Sequence, residues 1–327
     1  MLAEFFLTPD TFCESDENIR QLQTCLFPFG PNASVGVICH FGESEWEDIV
    51  GNRIVRIADH EQRMLAINLF ERISDEIAVF RPPIAAPPNN ETGWINTAKQ
   101  SKQNLELDGL VVTQAIVPCP DDCVRLPEFA KSDYWEDFGN PRVVGRDTAS
   151  QVPVLNSICA HSDWLIVRMP QVKGGNDDEI VTIKQIIQLA NRLPAGYKKS
   201  DIIVEIPISE GAERAHGETE AAERLMRNVK GELTSEKVAG CDISVAIYPV
   251  KSFVNREIVA GEFLYDSDKN AMFKARWYLT MNHVAVSGKD SAKRNDANSW
   301  NLYSRAVAAK RLDELAGLKP VIPSETV

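Results

Sequence analysis

No stretch of the 327 residues approaches the ~18 consecutive apolar residues that a membrane-spanning helix needs, so no membrane partner is expected. The opening MLAEFFLTPDTF has no basic n-region, and Pro9 breaks its short apolar run; it does not read as a secretory signal, and a cytoplasmic location is expected. HExxH is absent. His60-Glu61 opens a helix with no second histidine four residues on, which excludes that metalloprotease arrangement. GxGxxG and GxxxxGK[ST] are absent, which removes the common phosphate cradles, and so is GxSxG. There is no internal repeat and no low-complexity tract. The seven cysteines are odd in number and scattered, as suits reduced, buried thiols. Their one close pair, Cys119 and Cys123 in VPCPDDCV, is a residue longer than CxxC and has no second pair, so zinc is not expected.

What is present is an ordinary globular composition, 44% hydrophobic and 25% charged, in a chain long enough for two domains with a large core. Charge is distributed unevenly. Residues 1–150 hold 12 Lys+Arg against 24 Asp+Glu, a net of −12, while residues 151–327 hold 23 of each. Within 251–311 the balance reverses to 11 basic against 6 acidic, a net of +5. The acidic half repels nucleic acid and suits a basic protein partner, whereas 251–311 can meet phosphates or form a solvated face.

Helical spacing of Ile19, Leu22 and Leu26 predicts a helix over 15–27, stopped by FPFGP. ASVGVICHF and EIAVFRP read as strands on either side of a helix over 59–74, with Asp59 at its N-cap and Met64, Leu65, Ile67, Leu69 and Phe70 on its apolar side. PPIAAPPNNETG reads as a loop, then a short helix at 94–102 and a strand in LDGLVVTQAIV. Residues 119–150 read as irregular, with a boundary near 148 between an acidic domain 1–148 and a second domain 149–327. The second half alternates cleanly: helices at 151–160, 180–194 and 217–230, strands in DWLIVRMP, DIIVEIPI and CDISVAIYPV, extended pieces, and a closing helix over 298–316. The fold class is therefore α/β, with a mixed, largely parallel sheet covered by helices on both faces.

Five histidines are present: His40, His60, His161, His216 and His283. His161, in CAHSDW, precedes a strand and either faces a cleft or serves a turn; His216 lies on a charged helix. VKGGNDDE has two glycines after a strand, but its three acids repel phosphate; Asp177, Asp178 and Glu179 either fill the first turn of a helix or hold a divalent ion. Glu106 and Asp108 share one face of a strand without the lysine-bearing strand that a nuclease metal site needs. No metal and no cofactor are expected.

The most distinctive segment is ISVAIYPVKSFVNREIVAGEFLYDSDKNAMFKARWYLT. With the preceding strand–helix alternation, residues 151–316 resemble the phospholipase D-like superfamily, in the variant whose core strand reads HDREI. Aligned on REI, Arg256 and Glu257 match. The histidine that the resemblance implies as the nucleophile toward phosphodiesters falls on Val254, and the aspartate on Asn255. Valine can neither attack phosphorus nor carry a proton. The resemblance implies phosphate binding by Arg256, joined by Lys289, Lys293 and Arg294 in the following polar loop; the alternative is an Arg256–Glu257 surface pair.

The expected function is a non-catalytic interaction or scaffold subunit on a degenerate phospholipase D-like fold, beside an ATPase or nuclease partner in a bacterial defence or mobile-element system. The alternative is a phosphodiesterase or nuclease acting on DNA or RNA, with His161, His283 or Glu257 as the catalytic candidates. A nucleic-acid-binding surface over 251–311 ranks third.

Overall fold

The computed structural model describes residues 3–27, 36–41, 45–81, 90–105, 109–129 apart from 114 and 122, 142–172, 178–191, 201–235, 242–265, 269–284 and 297–327. Lys289, Lys293 and Arg294 lie outside these residues, as do Glu106, Asp108 and Asp177. The chain divides into two compact units, Met1–Gly139 and Asn140–Val327.

The first unit is built on a wholly parallel sheet of order β3-β2-β1-β4-β5. Its strands are β1 (Ala3–Leu7), β2 (Gly36–Phe41), β3 (Ala78–Arg81), β4 (Gly109–Val112) and β5 (Cys123–Arg125). The connecting helices are α1 (Asp16–Leu26), α2 (Glu45–Ile54), α3 (His60–Glu76) and α4 (Glu91–Leu105), and a single turn, α5 (Leu126–Phe129), follows β5. β1 lies at the centre, so Phe5, Phe6 and Leu7 are all fully buried, which explains an apolar run without alternation. Phe5 meets Phe129 of α5 edge-on, and Phe6 stacks on Trp94 of α4, each on its own side of the sheet. Ser15 and Asp59 cap α1 and α3, accepting from the backbone N–H of Asn18 and Gln62. The core stripe of α3 is Ala66, Leu69 and Ile73; Met64, placed on the apolar side by the pattern, falls off that 3–4 spacing and is exposed.

The second unit is an eight-stranded mixed sheet of order β13-β9-β8-β7-β10-β11-β12-β6. Its elements in chain order are β6 (Arg142–Gly145), α6 (Thr148–Ala160), β7 (Trp164–Arg168), α7 (Asp178–Asn191), β8 (Asp201–Pro207), α8 (Glu210–His216), α9 (Glu218–Leu233), β9 (Ile243–Tyr248), β10 (Arg256–Tyr265), β11 (Ala271–Val284), β12 (Ala297–Tyr303), α10 (Arg305–Ala316) and β13 (Ile322–Thr326). Strand–helix alternation up to β9 makes β7, β8 and β9 parallel; the remaining pairings are antiparallel. α10 covers the face that carries Trp164, Ile166, Val259 and Tyr278, while α6 and α7 lie on the other. On α7, Ile180, Ile183, Ile186, Ile187 and Leu189 are all buried, as the pattern requires.

Two expectations change. The closing helix begins only at Arg305: residues 297–303 form β12, an interior strand whose Trp300 is anchored by donating its indole N–H to Gln151 of α6. The division between units falls before β6, because that strand adds to the far edge of the second sheet through β12.

Candidate functional site

β7, β8 and β9 fill one side of the second sheet in chain order, and β10 then returns to the other side of β7. The order reverses between β7 and β10. In open α/β sheets, ligand sites form beyond the carboxyl ends of strands at such a reversal. The antiparallel strands bring the start of β10, the end of β11, the start of β12 and the end of β6 to this same edge. Here the side chains are polar, and they divide into two clusters because adjacent residues of a strand project to opposite faces.

On the α10 face, Glu257 is fully buried and bound from three directions. Arg168 of β7 donates to its Oε1 at 2.6 Å, and Arg311 of α10 grips both carboxylate oxygens at 2.6 and 2.9 Å. The Tyr278 hydroxyl donates to Oε2 at 3.0 Å. Arg168, itself fully buried, also pairs with Glu205 of β8 at 2.8 Å and lies 3.7 Å above the Phe253 ring. Tyr248 of β9 donates to Glu205 at 2.9 Å. Burial pushes the Glu205 carboxyl above its ordinary range despite Arg168, and burial together with Glu257 raises the Tyr278 hydroxyl. Arg168 and Arg311 face Glu257 and Glu205, Arg311 also donates to Glu314 at 2.6 Å, and with the two tyrosines the network joins five strands and a helix.

On the α7 face, Arg256 donates through Nε to Glu179 at 2.5 Å and reaches Gln171 at 3.2 Å. Arg146, just past β6, pairs with Asp178 at 3.0 Å. Between them stands His283 near the end of β11. Its Nδ1 lies 2.9 Å from Asn298 Oδ1 and its Nε2 lies 3.9 Å from Glu179 Oε1. An amide oxygen only accepts, so this contact requires the proton on Nδ1. Burial, reinforced by Arg256 and Arg146, holds His283 below the usual histidine range against the Asn298 bond and Asp178. The Arg146–Asp178 pair is partly exposed, so this cluster opens to solvent.

The structure brings Arg256 and His283 together and sends Glu257 to the other face. The two adjacent residues therefore do not pair with one another. His161 lies before β7, at the opposite edge of the sheet from Arg256. Val254, aligned with the nucleophile position, is exposed in the turn before β10. Sequence reading missed Arg168, Glu205, Arg311 and Asn298. An arginine ending the apolar strand DWLIVR and a glutamate inside DIIVEIPI were the available signals, since buried charges require partners. Among the described residues, no group of three or more His, Cys, Asp or Glu side chains is placed to hold a metal ion. Among the described residues, no helix is long and apolar enough to cross a membrane.

Compared with known proteins, the chain matches no family model and no curated protein.

Proposed function

We propose that this protein is a non-catalytic interaction or scaffold subunit on a degenerate phospholipase D-like fold, working in the cytoplasm of a bacterium within a defence or mobile-element assembly. What carries the reading is the way the two aligned framework residues are used. Glu257 is buried under two arginines and a tyrosine, and Arg256 is held by Glu179 and Gln171, so both serve internal bonds. A phosphate arriving at Arg256 would have to displace a carboxylate 2.5 Å away and would meet Asp178 beside it. The chemistry of the partner is an ATPase or nuclease, by analogy with the resemblance. Affinity capture from native cells tests this: a stoichiometric partner, with no cleavage by the purified protein in Mg²⁺, Mn²⁺ or EDTA, is the expected result.

A second reading, a phosphodiesterase or nuclease, draws on His283. Its neutral ring, fixed through Nδ1, presents Nε2 toward Glu179 near two arginines, as a base or nucleophile requires. Cleavage of DNA or RNA that survives purification and disappears in His283→Ala, but not in His161→Ala, would establish this reading and overturn the first.

A further inference from the structure

β10 and β11 run on together past the rest of the second sheet. β7 pairs with β10 only as far as Gly261, and β12 pairs with β11 only from Tyr278 onward. Beyond those points residues 262–265 lie against 271–274 as a two-stranded arm. Its two edges differ. On the β10 side, the Phe263 N–H donates to the Asp163 carboxylate at 3.0 Å and the Trp164 indole N–H donates to the Glu262 carbonyl at 3.0 Å, which closes that edge. On the β11 side, among the described residues, no strand pairs with the outer edge of residues 271–277. The arm is also apolar. Leu264, Tyr265, Met272 and Phe273 are each between 40% and 68% exposed. Alternation puts Tyr265 and Phe273 on the α10 side, where Phe273 meets Trp164 and Phe263 edge-on, and puts Leu264 and Met272 on the other.

An open strand edge is a template for another strand, and strand addition covers the apolar side chains beside it in the same step. A side chain of this size offers about 200 Å² when fully exposed, so these four leave roughly 400 Å² per copy and 800 Å² for two copies. With the paired backbone the total reaches about 1,000 Å², the lower bound of a specific interface. The edge also matches its own copy in register. In antiparallel pairing about a two-fold axis at Phe273, Phe273 faces its counterpart, Met272 faces Lys274 and Ala271 faces Ala275. An axis at Lys274 would set like charges opposite one another. An axis at Ala275 would bring the copy's Ala271 opposite Leu279, where β12 already pairs. Within the arm, Glu262 lies across from Lys274 but pairs with Arg276, which leaves the Lys274 ammonium to meet the copy.

We propose that the outer edge of β11 is the interface of a symmetric homodimer, in which residues 271–275 pair antiparallel with the same residues of a second copy about a two-fold axis at Phe273. The inference is independent of the cluster around His283, which lies at the other end of β11.

Sedimentation equilibrium of the full chain tests this. Expected is a reversible monomer–dimer equilibrium with a Kd of about 1–100 µM, as suits an interface at the small end of the range. Two substitutions at one exposed position separate this pairing from general stickiness. Met272→Lys sets a lysine opposite the copy's Lys274 and should weaken association at least about tenfold, whereas Met272→Glu sets a carboxylate there and should hold or tighten it. The net charge of −12 acts in the opposite sense, since a further negative charge adds to the repulsion between copies. Both variants should keep the wild-type circular dichroism. A wild-type chain that stays monomeric up to about 300 µM, assembly that grows past the dimer, or equal effects of Met272→Lys and Met272→Glu would overturn the interface.

Discussion

At the scale of single residues, the buried charges set the most demanding conditions on this fold. Glu257 neutralises Arg168 where neither side chain touches water. Glu257→Ala leaves Arg168 with Glu205 alone and should cost about 3–5 kcal/mol, measured by urea denaturation, whereas Arg256→Ala on the opposite face should cost less because the Arg256 side chain is itself 17% exposed. Titration gives a second handle. The folded-state value of Glu91 lies above the ordinary carboxylate value of 4.5, at about 7. The native protein thus binds more protons than the unfolded chain between these values, and stability falls as pH rises through that window. Glu91→Gln removes this loss: its melting temperature should exceed that of the wild type at pH 8 and match it at pH 4.5. His283 acts in the opposite sense. Its depressed value means that the unfolded chain takes up the proton first, so its contribution, present above the ordinary histidine value of 6.5, is lost as pH falls through the lowered folded-state value.

At the scale of elements, local signals and packing agree at some ends and not at others. Asp59 caps α3 through a bond of 2.8 Å, while Ser304 stands at the N-cap of α10 with no such bond. Asp59→Ala should lower stability by about 1 kcal/mol, and Ser304→Ala by clearly less, as thermal melts can show. The β10–β11 hairpin depends on one glycine. The register slips between Ala260 and Gly261, and a Cβ at 261 would stand 1.9 Å from the Lys274 carbonyl oxygen and 2.8 Å from the Trp164 ring. Gly261→Ala should therefore destabilise by roughly 1–3 kcal/mol or more, because the backbone oxygen cannot retreat without breaking the strand pair. The helices were legible where apolar residues recur at 3.6, as in α7 and α9. β12 was not: ANSWNLY is polar enough to run into the helix that follows it, and only its place between β11 and β6 makes it a strand. β1 was equally hidden, an apolar run at the start of the chain whose central position no local pattern announces.

At the scale of the whole molecule, the two units have different sheets, one parallel throughout and one mixed, so neither repeats the other. Each carries its own core, and residues 140–327 should fold alone. A fragment starting at 149 should not match it. It lacks β6, which leaves the β12 edge bare, and it loses the Arg146–Asp178 pair and the bonds from Gln151 and Gln185 to the β6 end. Comparing the two fragments by thermal melt and light scattering checks this directly: 149–327 should melt lower and associate more. Of the candidate site, Arg256, Glu257 and His283 could be named from sequence, but their grouping could not. Alternation along a strand is a local property, so neighbours 256 and 257 had to part once β10 formed. Which side chains meet them depends on the strands that flank β10 and β11, and the β7–β10 pairing alone joins residues up to 97 positions apart. The sequence by itself determined the α/β class, the alternation through β9 and the uneven charge, because period and composition act locally. Only the tertiary structure decided where the strand order reverses, which buried charges neutralise one another and which histidine stands beside Arg256, because these are matters of long-range packing and of the cost of leaving a charge unpaired.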